Sequence, residues 1–217
     1  NKGGRVYVRP CIAGHVGADA AGVVLAEAPQ KDVINTLVVD VGTNAEIVVG
    51  NSQRMLAASS PTGPAFEGAQ ISSGQRAAPG AIERIRIDKE TLEPRFRVIG
   101  VEQWSDEDGF DEAVKATGIT GICGSGIIEI LAEMYITGIL STDGVISGAV
   151  ASRTPRIEAD GRTFAYRISE NVVVTQNDVR AIQLAKAALH AGFRLLMDKM
   201  ELKSVDRVVL AGAFGTH

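Results

Sequence analysis

Thr36-Leu37-Val38-Val39-Asp40-Val41-Gly42-Thr43-Asn44 opens on an apolar run and closes on a carboxylate, a glycine and two small polar residues. Leu37, Val38 and Val39 lack the alternation of a half-exposed strand, so the pattern predicts a strand buried on both faces. Two further short strands follow at Glu46 to Gly50 and Arg54 to Ser59, the second entered through a hairpin turn at Gly50-Asn51-Ser52. Near the other end of the sequence, Asp206 to Ala211 reads as another buried strand that runs into Gly212-Ala213-Phe214-Gly215.

Helices are expected between these strands. Ala18 to Ala28 is alanine-rich, and Gly124 to Thr137 is apolar almost all round except for Glu129, Glu133 and Thr137, which recur on one face. The clearest helix is Gln176 to Met200, where Val179, Ile182, Ala185, Leu189, Phe193, Leu196 and Met200 keep three- and four-residue spacing. Thr175 and Asp178 before it resemble a capping box, with Asp in place of the usual Glu or Gln. Arg5 to Pro10 alternates like a short strand, Glu83 to Gly100 resembles a second hairpin, and Ser59 to Gly80 is an irregular Gly-, Ala-, Ser- and Pro-rich loop of the kind that often carries function. Strands and helices mixed around a largely buried sheet define an α/β chain.

With 217 residues, one sizeable core and a single domain over residues 1–217 are expected. Apolar residues make up 45% and charged residues 22%, which leaves no room for extensive disorder. A net charge of -4 without a cluster of Lys and Arg argues against a nucleic-acid surface. No apolar run has membrane-spanning length, and no signal segment opens the sequence, so a cytoplasmic location is expected. Two cysteines, Cys11 and Cys123, and three histidines are too few and too scattered for a zinc or iron–sulfur ligand set, and free thiols are expected.

Three segments could carry chemistry. Asp40-Val41-Gly42-Thr43-Asn44 offers a carboxylate, backbone amides and a hydroxyl that suit a hydrated Mg2+ and phosphate oxygens; the alternative is a tight turn in which Asp40 caps local amides. Gly212 to Gly215 would let backbone approach a flat ligand such as adenine, or serve as a strand-to-helix turn. Gly124-Ser125-Gly126 opens a helix whose free amides attract anions, or packs that turn against the sheet. Cys123 at that helix start has no histidine placed to serve it and reads as a small buried residue. Glu67, in the long loop, either polarises a water or is a solvated charge.

Taken together, Asp40 to Glu46, Thr62 to Ala69, Gly121 to Gly126, Thr175 to Arg180 and Leu210 to Gly215 resemble the carboxy-terminal domain of the reductive activators of corrinoid proteins, in order and across nearly the whole sequence. The resemblance implies an RNase H-like, actin-like (ASKHA) ATPase lobe with a mixed sheet and flanking helices, the second lobe of its parent. It implies an ATP- and Mg2+-dependent activator that returns a Co(II) corrinoid protein to Co(I). Its electrons would come from a donor acting through an iron–sulfur cluster in an upstream domain that, like the upstream lobe, lies outside these residues. By the same analogy Asp40, Gly42, Thr43 and Asn44 form the phosphate motif, with Asp40 toward the metal, and Leu210 to Gly215 the adenosine motif. Ala45 stands where the family pattern has glycine, and Ser59-Ser60-Pro61 where a cysteine is common. The expected partner is a corrinoid protein, with a homodimer left open. The alternatives are a small-molecule kinase of the same superfold and a docking or dimerisation module without nucleotide binding. These residues alone are expected to bind ATP weakly or not at all.

Overall fold

The computed structural model describes residues 3–5 and 7–212. Along the chain run α1 (Ala18–Glu27), β1 (Thr36–Val41), β2 (Ala45–Gly50), β3 (Met55–Ser60), β4 (Ala81–Ile87), β5 (Pro94–Val98), α2 (Phe110–Ala113), β6 (Gly121–Ile122), α3 (Gly124–Ile136), β7 (Ile157–Asp160), β8 (Thr163–Arg167), β9 (Val173–Val174), α4 (Gln176–Lys199) and β10 (Arg207–Ala211). Two compact units divide it: residues 1–62 with 186–217, and residues 63–185.

The first unit is built on a mixed sheet in the order β10-β1-β2-β3. β1 and β10 are parallel, with Val38 opposite Val209 and Asp40 opposite Ala211, while β1, β2 and β3 form antiparallel hairpins. The expected two-sided burial of β1 holds: Leu37, Val38 and Val39 are all buried. Leu37, Val39, Ile47 and Val49 share one face with Leu196 and Met197 of α4, each such side chain contributing roughly 1.5–3 kcal/mol by leaving water. α1 packs against β1 and β2. Asn51 makes the β2–β3 turn by accepting the amides of Gln53 and Arg54 on its side-chain oxygen at 2.9 and 3.2 Å. The strand expected at Arg5 to Pro10 does not form among its described residues; Tyr7 and Val8 are 83% and 81% exposed, so alternation there has no sheet to join.

The second unit carries two three-stranded sheets, β5-β4-β6 and β7-β8-β9. The Glu83 to Gly100 hairpin is present, and its register sets Arg84 opposite Arg97 and Arg86 opposite Arg95. Like charges facing across a ladder repel, and acidic partners offset them: Glu129 of α3 meets Arg84 at 3.0 Å and Arg86 at 2.9 Å, and Asp106 meets Arg95 at 3.3 Å. Glu129 and Glu133 also accept the backbone amides of Ile85 and Ile87 at 2.8 and 3.0 Å, so the polar face of α3 satisfies the edge of β4 that the short β6 leaves uncovered. In the third sheet, the buried Tyr166 donates its hydroxyl to the Leu92 carbonyl at 2.8 Å, and burial holds that phenol far above its ordinary range. The capping box before α4 is real: the Asp178 carboxylate accepts the Thr175 amide at 2.8 Å, and Thr175 Oγ1 accepts the Asp178 amide at 3.2 Å. The other Asp178 oxygen accepts the Ser72 amide at 2.7 Å, which ties the long loop to this helix start.

Candidate functional site

The parallel pairing of β1 with β10 decides where the first candidate residues meet. Both strands end at the same level, so Asp40, last but one in β1, lies beside Ala211 and Gly212. Gly212 takes a left-handed φ of +81°, and a Cβ built on it would lie 2.5 Å from Asp40 Oδ1. The backbone angle favours glycine, and any side chain there would push against the Asp40 carboxylate. Arg9, Asp19, Gly22, Asp40, Ala211 and Gly212 are among the residues lining a cleft of about 520 Å3. Gly215 lies outside the described residues.

Asp40 is followed by a turn whose tip, Thr43 and Asn44, is exposed, with the Gly42 amide donating to the Asn44 carbonyl at 3.1 Å. The turn is held from below by Thr62. Its buried hydroxyl lies 3.1 Å from the Gly42 carbonyl and 3.2 Å from that of Thr43, donating to this pair of acceptors. Thr62→Val removes the donor at constant shape, and its expected cost is about 1 kcal/mol of stability. Faster amide exchange at Thr43 and Asn44 should accompany it, and Thr62→Ser should restore both; unchanged exchange in Thr62→Val would show that the hydroxyl does not hold the turn.

The electrostatics are those of crowded carboxylates. Burial, and then the charge of Asp19, push the Asp40 carboxyl above its ordinary range. Glu46, its cross-strand neighbour, is likewise raised by burial, against a lowering hydrogen bond from Ser59 at 3.0 Å, with Asp19 and Asp40 adding repulsion. Glu46 Oε2 is buried without a hydrogen-bond partner among the described residues. A carboxyl raised in the folded state favours folding below its unfolded value and loses that contribution as pH rises through the folded value. Glu46→Gln is therefore expected to melt later than wild type at about pH 7, by a screened increment of about 0.5 kcal/mol. That advantage should vanish below the ordinary glutamate value of 4.5. A difference independent of pH in thermal melts would rule this out.

These features fit a divalent cation. A desolvated, partly repelled carboxylate facing a cleft gains from a positive neighbour, and Gly212 keeps that side free of side-chain atoms. Among the described residues no group of three or more His, Cys, Asp or Glu could hold a metal on its own. Any such ion at Asp40 would take most of its ligands from water and from phosphate oxygens, as Mg2+ ordinarily does.

In the second unit, Gly124, Ser125 and Gly126 begin α3, with Cys123 as the N-cap residue. The Ser125 hydroxyl donates to the Glu83 carbonyl at 3.1 Å, and a Cβ on Gly126 would lie 2.6 Å from the Ile82 carbonyl oxygen. This turn presses backbone against the β4 backbone. Cys123 is buried and free, with its sulfur 3.3 Å from Ser125 Oγ, and Cys11 is free and exposed. Glu67 is exposed at the end of a 3-10 turn, Pro64–Glu67, that packs on α3 through its buried neighbours Ala65 and Phe66. Arg9 and Asp19 were not anticipated from the sequence as lining residues. They precede the turn at Asp40 to Asn44 by some twenty residues or more, and only the packing of α1 on β1 brings them to the cleft.

A mixed sheet in which β1 runs parallel to β10 and antiparallel to β2, with helices packed on it, fits the actin-like (ASKHA) fold. Residues 34–217 match the family model described as the C-terminal domain of RACo, the ASKHA domain, and the chain belongs to that family. It is 34% identical to the corrinoid activation enzyme RamQ of Eubacterium limosum over 100% of this chain and 36% of that protein. It is 26% identical to the [Co(II) methylated amine-specific corrinoid protein] reductase of Methanosarcina barkeri over 98% of this chain and 38% of that one. The solved structure of a reductive activator for corrinoid, iron-sulfur protein superposes with a TM-score of 0.80 at 32% identity, over 96% of this chain and 32% of that chain. The sequence thus spans about a third of the length of these relatives. No described helix is long and apolar enough to cross a membrane.

Proposed function

We propose that this chain is the nucleotide-binding part of an ATP-dependent reductive activator that returns a corrinoid protein from Co(II) to Co(I). The observation that carries the reading is the meeting of Asp40 with Gly212 at the ends of two parallel strands, where one unit offers a cation-seeking carboxylate and a bare backbone to the same cleft. The relatives' names supply the class of reaction.

In this reading Asp40 orients a hydrated Mg2+, which would neutralise the charge of the nucleotide's phosphates. Thr43, Asn44 and the Gly42 amide receive phosphate oxygens, and Gly212 with Gly215 admits the adenosine. Gly124, Ser125 and Gly126 provide a second anion-facing turn, and Glu67 orients the attacking water. ATP turnover supplies the free energy for an unfavourable reduction, through a change of conformation. The cobalt chemistry belongs to the corrinoid partner. Electrons arrive through an iron–sulfur cluster carried by polypeptide upstream of these residues. The expected setting is the cytoplasm, without nucleic acid or membrane, and the activator works as a monomer or a homodimer.

The test is phosphate release from ATP by the intact gene product, with and without a corrinoid protein in the Co(II) state. Release stimulated by the Co(II) protein supports activation. Transfer of the phosphate to a small metabolite would favour the kinase reading, and no interaction with Mg-ATP the docking one.

A further inference from the structure

Arg9 occupies an unusual place in the first unit. Its guanidinium lies against α1 at Gly22, so closely that a Cβ on Gly22 would sit 1.6 Å from Nη1. The cleft that it lines also receives the side chains of Asp19, Glu27 and Asp40. Even so, no ion pair or hydrogen bond joins Arg9 to a described residue. Three carboxylates around one cleft would repel a triphosphate, and a single Mg2+ offsets only part of that charge. Among the described lining residues Arg9 supplies the positive charge, on a planar fork of donors that matches phosphate oxygens.

We propose that Arg9 contacts the phosphate groups of the bound nucleotide and favours the more highly charged di- and triphosphates over the monophosphate. The proposal rests on the nucleotide reading of this cleft and extends it to a residue that lies before the matched family region, residues 34–217. Gly22 has a defined part in it. In the middle of a helix glycine costs stability relative to alanine, and at this position it gives the guanidinium its seat.

The experiment is calorimetric titration of the intact gene product with Mg-ATP, Mg-ADP and AMP, for wild type, Arg9→Ala, Arg9→Lys, Gly22→Ala and Asp40→Ala. Loss of one charge-assisted contact at an exposed site should weaken Mg-ATP binding by Arg9→Ala about tenfold, with a smaller loss for AMP and an intermediate value for Arg9→Lys. Gly22→Ala, which displaces a flexible side chain and improves helix propensity, should bind like Arg9→Ala while melting no earlier than wild type. That pairing separates a lost contact from a damaged fold. Mg-ATP affinity of Arg9→Ala within about twofold of wild type, or equal losses for ATP and AMP, overturns the proposal. If Asp40→Ala still weakens Mg-ATP binding about a hundredfold in that case, the nucleotide reading survives it. A wild-type protein that binds none of the three nucleotides removes both.

Discussion

Replacing Asp40 by alanine in the intact gene product is expected to lower the affinity for Mg-ATP by about a hundredfold, the scale of removing a group that orients a bound metal. The effect should be selective. Asp40 is raised by burial and by Asp19, and it adds to the repulsion at Glu46, so its removal relieves the folded state at neutral pH. The variant should therefore melt no earlier than wild type while losing its ligand. Asp40→Asn should lose nearly as much affinity, because the amide keeps the shape and discards the charge that a hydrated cation needs. Calorimetry at saturating Mg2+ reads this directly. A loss below about threefold would mean that the carboxylate caps its own turn and faces no metal.

Gly126→Ala is expected to act in the opposite way, through the fold and with little selectivity. The added methyl meets the Ile82 carbonyl oxygen at 2.6 Å and Ile122 Cγ1 at 2.8 Å, at the contact between α3 and the strands that it covers. Backbone on one side and the fully buried, branched side chain of Ile122 on the other leave little room to yield, and overpacking of this kind costs about 1–3 kcal/mol. Glu129 and Glu133 raise the stakes, since any shift of α3 also disturbs the amides of Ile85 and Ile87 that they satisfy. Denaturant unfolding should show an earlier midpoint with an unchanged slope. Full stability of the variant would show that the helix start has room for the methyl and that Gly126 does not seal this contact.

Much of the first unit was legible in its residues. The unbroken run Leu37-Val38-Val39 could be read as a doubly buried strand because a sheet covered on both faces needs no alternation. α4 was legible almost to the residue, from Thr175 to the end of its apolar stripe, because capping and periodicity are local properties. Local alternation misled at Tyr7 and Val8, which have the pattern of a strand and no ladder to join. The β7-β8-β9 meander went unread, although Asp160-Gly161 marks its first turn and Gly161 takes a φ of +60° there. Its strands are short, and their partners had to be known before the pattern meant anything. The same limit hid the use of Glu129 and Glu133, which periodicity placed on one helix face without showing the strand edge they complete. Arg9 and Asp19 reach the cleft only through tertiary packing, so no motif in the primary structure could announce them.

The meeting of Asp40 and Gly212 has its most direct test in the reaction itself. A corrinoid protein poised at Co(II) is mixed with the intact gene product and a low-potential electron donor, and the Co(I) absorption spectrum is followed with and without Mg-ATP, for wild type and for Asp40→Ala. Co(I) formation that requires both the nucleotide and Asp40 is the expected result. Equal rates of reduction with and without Mg-ATP, or in wild type and Asp40→Ala, would contradict the assignment of this cleft to the nucleotide that drives the reduction.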